Sequence, residues 1–159
     1  MTATVPASHR AALFALCDRI PHGWPWAVTA SANLALRGFD VSPGDVDVTA
    51  DGETVYDVAD LFSEAVVRPV RPPASEPGDR IRSHFGALEL GGSEVELMGE
   101  VEHRIDGEWV RDPPVAATRE FLSVGDGDRR VPAMGLDYEA RGYRARGEHD
   151  RAARIERRL

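Results

Sequence analysis

Apolar residues at Ala11, Leu13, Phe14, Leu16 and Cys17 recur at helical spacing until Pro21 and Gly23-Trp24-Pro25 interrupt them, which predicts a helix over residues 8–19. Trp26-Ala27-Val28-Thr29 is a short β-leaning run, and Ala32-Asn33-Leu34-Ala35-Leu36 reads as helix until Gly38 ends it. The local order is therefore strand, tight turn, helix. After a Ser42-Pro43-Gly44 turn comes Asp45-Val46-Asp47-Val48. A helix over 54–64 follows, carrying Val55, Val58, Ala59, Leu61 and Phe62 inward, and Val66, Val67 and Val70 indicate a strand.

Residues 71–78 are Pro-rich and polar and read as a loop. Alternation over 82–90 and 93–98 predicts two strands joined at Gly91-Gly92. A second hairpin is expected between 101–105 and 108–110, turning at Asp106-Gly107. From Leu136 the chain is helix-prone, with Tyr138, Tyr143, Ile155 and Leu159 as apolar contacts and a break near Gly147. No internal repeat interrupts this order, and 159 residues suit a single domain over 1–159.

Composition narrows the chemistry. A 42% hydrophobic content supports one sizeable core, while 27 acids against 19 bases give a net charge of -8. Such a surface repels phosphate backbones and anionic membranes, so non-specific nucleic-acid binding is not expected. Every base is arginine, so neither a Schiff-base lysine nor a phosphate loop ending in lysine exists. Cys17 has no partner for an internal disulfide, and no Cys/His cluster has zinc spacing. Residues 1–9 lack a basic, then apolar, leader, and no run is long enough to cross a membrane; the expectation is a cytoplasmic protein.

The segment richest in chemistry is Asp45-Val46-Asp47-Val48. In a strand, alternate side chains share a face, so both aspartates point one way and both valines point into the core. Two neighbouring anions repel, and a divalent cation with oxygen ligands, Mg2+ above all, relieves that repulsion. Ser31, at the turn before the helix, offers a hydroxyl and N–H groups to an anion. A third acid comes from Glu96 in Val95-Glu96-Leu97, with Glu94 on the same face as the competing candidate. Three such carboxylates suffice for two metal ions. The plainer readings are a solvated strand edge for the aspartates and a helix cap for Ser31.

Thr29-Ala30-Ser31, thirteen residues from Ala32 to Gly44, and then Asp45-Val46-Asp47-Val48 resemble the signature of the polymerase-β-like nucleotidyltransferase superfamily. Ile81-Arg82-Ser83-His84-Phe85-Gly86, the stretch from Glu94 to Glu100, and residues 136–146 are similar to later segments of its small stand-alone, antibiotic-modifying members. The resemblance implies an α/β (α+β) fold, a small mixed β-sheet flanked by helices. It also implies Asp45, Asp47 and Glu96 as catalytic metal ligands, and Ala30 and Ser31 at the phosphates. One departure stands out: Ala30 occupies the place of the usual glycine, and its methyl restricts positive φ and close approach to phosphate.

Around this centre, Arg82 and Ser83 are candidates to reach the triphosphate, as are Arg68 and Arg71 from the Pro-rich loop. The arginine-rich C-terminal segment reads first as a helical face with pairs such as Asp150 with Arg154, and second as a contact for phosphates or an RNA end. Tyr138 and Tyr143 read first as packing. The function implied is transfer of a nucleoside monophosphate from a nucleoside triphosphate, expected to be ATP, to a hydroxyl on a small molecule or protein. The alternative is a catalytically silent nucleotide- or partner-binding module such as an antitoxin, which brings a homodimer or a helical toxin into view as partners.

Overall fold

The computed structural model describes residues 5–125 and 129–159. Residues 1–4 of the leader reading lie outside them. Among the described residues no helix is long and apolar enough to cross a membrane.

The chain runs α1 (Ala7–Arg19), β1 (Trp26–Thr29), α2 (Ala30–Leu36), β2 (Val46–Ala50), α3 (Thr54–Leu61), a short 3-10 turn (Ser63–Ala65), β3 (Val66–Arg71), β4 (Ile81–Leu90), β5 (Ser93–Ile105), β6 (Glu108–Arg111), α4 (Val115–Thr118), β7 (Arg119–Val124), β8 (Arg129–Met134), α5 (Leu136–Ala145) and α6 (His149–Glu156). All the strands join one sheet in the order β3-β4-β5-β2-β1-β8-β7, with β6 paired to the outer half of β5. β2 runs parallel to β5 and β1 parallel to β8, whereas the other pairs are antiparallel. This is the mixed sheet with flanking helices that the resemblance implied.

Alternation sorts the side chains to two faces. Val28, Val46, Val48, Val95 and Leu97 join Leu13, Leu16, Val55, Val58 and Phe62 of α1 and α3 in the main core. Ala27 and Met134 project the other way and meet Tyr138 of α5 and Val115 of α4. A third cluster, Leu34, Ala140, Tyr143, Ala152 and Ile155, ties α5 and α6 to α2. The break at Gly147 separates those two C-terminal helices as expected.

Three sequence expectations need correction. Residues 115–134 carried no expected element, yet they supply α4, β7 and β8, and β8 lies next to β1 inside the sheet. Pro132 argues against a strand there because it has no N–H, and the mostly exposed β7 lacks a buried alternation. The expected strands over 93–98 and 101–105 are one strand. Its register slips between Arg82 and His84 of β4, where Glu100 has φ +50, the mark of a bulge. Even-numbered Glu96 and Met98 face the α5 side before the bulge, odd-numbered Val101 and His103 after it. Finally, the Asp150–Arg154 pair does not form; Arg144 instead reaches Glu156 of α6 at 2.5 Å.

Candidate active site

Parallel pairing of β2 and β5 sets Asp47 directly opposite Glu96, and Asp45 lies just before β2 begins. Carboxylate oxygens of Asp45, Asp47 and Glu96 all lie within 4.8 Å of one another, each residue being half-buried. Glu94 is excluded from this group because it pairs with Arg68 at 3.0 Å. The Asp-hydrophobic-Asp face and the later acid therefore converge across neighbouring strands, and of the two acids left open it is Glu96 that joins them.

The electrostatic consequence is mutual repulsion among partly desolvated anions. Burial, then the neighbouring Asp45, raises the Asp47 carboxyl to about 6. Burial, then its contacts with both aspartates, raises Glu96 to about 8. Three converging hard oxygen donors, with Asp47 and Glu96 held back from ionising by burial and by one another, are the donor set that suits Mg2+, whose charge offsets that repulsion.

Beside the acids opens a cavity of ≈ 240 Å³ lined by Thr29, Ala30, Asp47, Glu96, His103 and Arg146, among others. Its floor is the β1–α2 turn. Ala30 has φ +58, so the residue that replaces the usual glycine does adopt the left-handed conformation that glycine takes freely. Ser31 follows in the first turn of α2, half-buried. Ala30, which the resemblance puts at the phosphates, donates its N–H to Glu139 Oε2 at 2.9 Å.

Glu139 is the residue the sequence reading missed. Its carboxylate, fully buried on α5, accepts from Thr29 Oγ1 (2.9 Å), Ala30 N (2.9 Å) and Asn33 Nδ2 (2.7 Å). Asn33 also donates to the Met134 carbonyl, which accepts from Arg37 as well. This network clips α5 and β8 onto the β1–α2 turn. Burial pushes the Glu139 carboxyl up, against the three hydrogen bonds that favour its charged form.

Other expected contacts fall elsewhere. Arg82 lies on the strand face opposite Ile81 and is held by Glu102 (2.8 Å) and the Trp109 ring (4.6 Å), away from the cavity. Ser83 shares a face with the cavity-lining Ile81 without lining the cavity itself. Arg71 is exposed. Tyr138 donates to Asp112 Oδ2 at 2.6 Å, and Tyr143 is buried, so both pack as first expected.

A family profile described as Aminoglycoside-2''-adenylyltransferase matches residues 12–158. A crystal structure from Thermotoga maritima, described as "a putative nucleotidyltransferase", superimposes with a TM-score of 0.82 at 29% identity, over 97% of this chain and 94% of its own. Among curated proteins, none matches.

Proposed function

This chain belongs to the aminoglycoside-2''-adenylyltransferase family, and we propose that it transfers a nucleoside monophosphate from a nucleoside triphosphate, ATP as first choice, to an acceptor hydroxyl with release of pyrophosphate. The observation that carries this reading is the meeting of Asp45, Asp47 and Glu96 beside a cavity that an arginine also lines. Asp45, Asp47 and Glu96 would hold Mg2+. When bound there, the metal supplies Lewis-acid polarisation of the phosphate and acceptor oxygens.

The chain's own groups account for the rest. The acceptor oxygen forms a bond to the α-phosphorus while the bond to the pyrophosphate oxygen breaks; a carboxylate oxygen of Glu96 takes the acceptor's proton. The β1–α2 turn, held by the Glu139 carboxylate that lines the same cavity, forms the floor against which the phosphates lie, with Ser31 beside it offering its hydroxyl. The acceptor is a small hydroxyl compound, aminoglycoside- or lincosamide-like, or a protein hydroxyl.

The test is transfer of labelled monophosphate from the triphosphate in Mg2+, scored by mass of the acceptor product. Asp47→Asn, with an unchanged circular dichroism spectrum, is expected to lose turnover by ~100-fold or more. Wild-type turnover in that variant would overturn the assignment.

A further inference from the structure

Arg146 is the one cationic side chain lining the cavity among the described residues, where it shares the wall with Asp47, Glu96 and Glu139. It follows α5 directly, its side chain is 21% exposed, and its guanidinium lies over the Tyr143 ring at 4.6 Å. Nη1 bonds to His103 Nε2 at 2.8 Å. A guanidinium can only donate, so His103 Nε2 is the acceptor and the imidazole proton sits on Nδ1. That proton is donated to Asp112 Oδ1 at 2.7 Å, and Tyr138 donates to Asp112 Oδ2 at 2.6 Å. Each atom in the chain Tyr138–Asp112–His103–Arg146 thus has a fixed direction.

Two further features suit this arrangement to holding one guanidinium still. The Glu100 bulge is what turns His103 to the cavity side of β5. Gly142 sits inside α5, where alanine would be the better helix former. A methyl there would stand 3.1 Å from Arg146 Nη1 and 3.6 Å from His103 Nε2, so glycine makes the room the pair occupies. His103 takes a single N–H of Arg146, and the Glu148 carboxylate lies 3.8 Å from Nε, which leaves N–H groups for a ligand.

We propose that Arg146 binds the β- and γ-phosphates of the nucleoside triphosphate, and that Tyr138, Asp112 and His103 act as positioning residues that hold its guanidinium in the cavity. An arginine suits this task because its planar fork bonds two phosphate oxygens at once. The inference rests on the nucleotidyl-transfer reading, to which it adds the residue that distinguishes a triphosphate from a monophosphate.

The experiment is calorimetric titration with α,β-methylene-ATP and with AMP, each with Mg2+. Arg146→Gln is expected to weaken triphosphate binding by about tenfold or more and leave AMP binding unchanged. His103→Gln keeps an acceptor for Arg146 and is expected to hold triphosphate affinity near wild type. His103→Asn keeps only the donor to Asp112 and is expected to weaken it without moving AMP. Equal loss of both ligands in Arg146→Gln, or wild-type triphosphate affinity in a folded Arg146→Gln, overturns the inference alone. Wild-type protein that binds neither nucleotide overturns the nucleotidyl-transfer reading and the inference together.

Discussion

Asp47 on β2 stands directly across a parallel strand pair from Glu96 on β5, and Asp45 closes the group from the loop before β2. Because both carboxyls titrate higher in the folded chain than in the unfolded one, the fold binds their protons more tightly. Their contribution to stability is therefore complete below about pH 4, the unfolded range, and is lost as pH rises through about 6 to about 8. In EDTA, the melting temperature of the wild type is expected to fall relative to Asp47→Asn across that window, by ~5 °C. Mg2+ at pH 8 should raise the wild type and leave the variant unmoved. Parallel melting curves for the two proteins would exclude repulsion in the triad.

Ala30 at φ +58 gives a second, independent handle. A left-handed alanine costs roughly 1–2 kcal/mol relative to its preferred basin, and glycine relieves that strain while giving back part of it as unfolded-state entropy. Ala30→Gly is therefore expected to stabilise by ~0.5–1 kcal/mol in urea unfolding. Ala30→Val, β-branched at the same φ, is expected to destabilise. A loss of stability in the glycine variant would mean that the methyl makes contacts worth more than the strain.

How much of this was legible beforehand depended on whether the information was local. β1 was read at its observed limits because four apolar-leaning residues sit between a Pro-Trp boundary and a helix start, and Asp47 and Glu96 were found because apolar-acid-apolar alternation encodes a strand face. The place of a usual glycine marked Ala30 as a position where a methyl restricts positive φ, and the backbone takes φ +58 there all the same.

What stayed hidden was set by pairings distant in sequence. Glu139 sits beside inward-facing Tyr138 and Ala140 on α5, with nothing in its neighbours to say that its partners lie some hundred residues earlier. His103 reaches the cavity because a single bulge reverses the alternation of β5, and periodicity read in phase from Glu96 assigns it to the wrong face. Arg82 was misjudged for the same reason: its face on β4 is fixed only by register with β5. β8 was missed since Pro132 is a poor strand residue whose place is settled by β1 and β7 together.

Glu139 also carries a prediction of its own. Thr29, Ala30 and Asn33 all present donors to one buried carboxylate, so a Glu139→Leu side chain would leave the Ala30 N–H and the Thr29 hydroxyl without their acceptor. The expected cost is about 2 kcal/mol, or roughly 5 °C in a thermal melt. Because the same contacts hold the β1–α2 turn, nucleotide affinity should fall as well. A Glu139→Leu protein that melts with the wild type would show that the turn is held by its backbone alone.

Gly99, one residue before the bulge, separates packing from polar chemistry. A Cβ there would collide with Cγ1 of Val55 and crowd Cβ of the same residue, which is fully buried on α3. Val55 lies in a short helix pinned between β2 and β3 and has little room to retreat. Gly99→Ala is expected to destabilise by ~1–3 kcal/mol through overpacking. Gly99 faces the main core rather than the cavity, so at temperatures where the variant is folded its affinity for α,β-methylene-ATP should change far less than in Arg146→Gln. Urea unfolding paired with calorimetry checks both halves, and a stable variant that binds nucleotide poorly would reverse the assignment of Gly99 to packing.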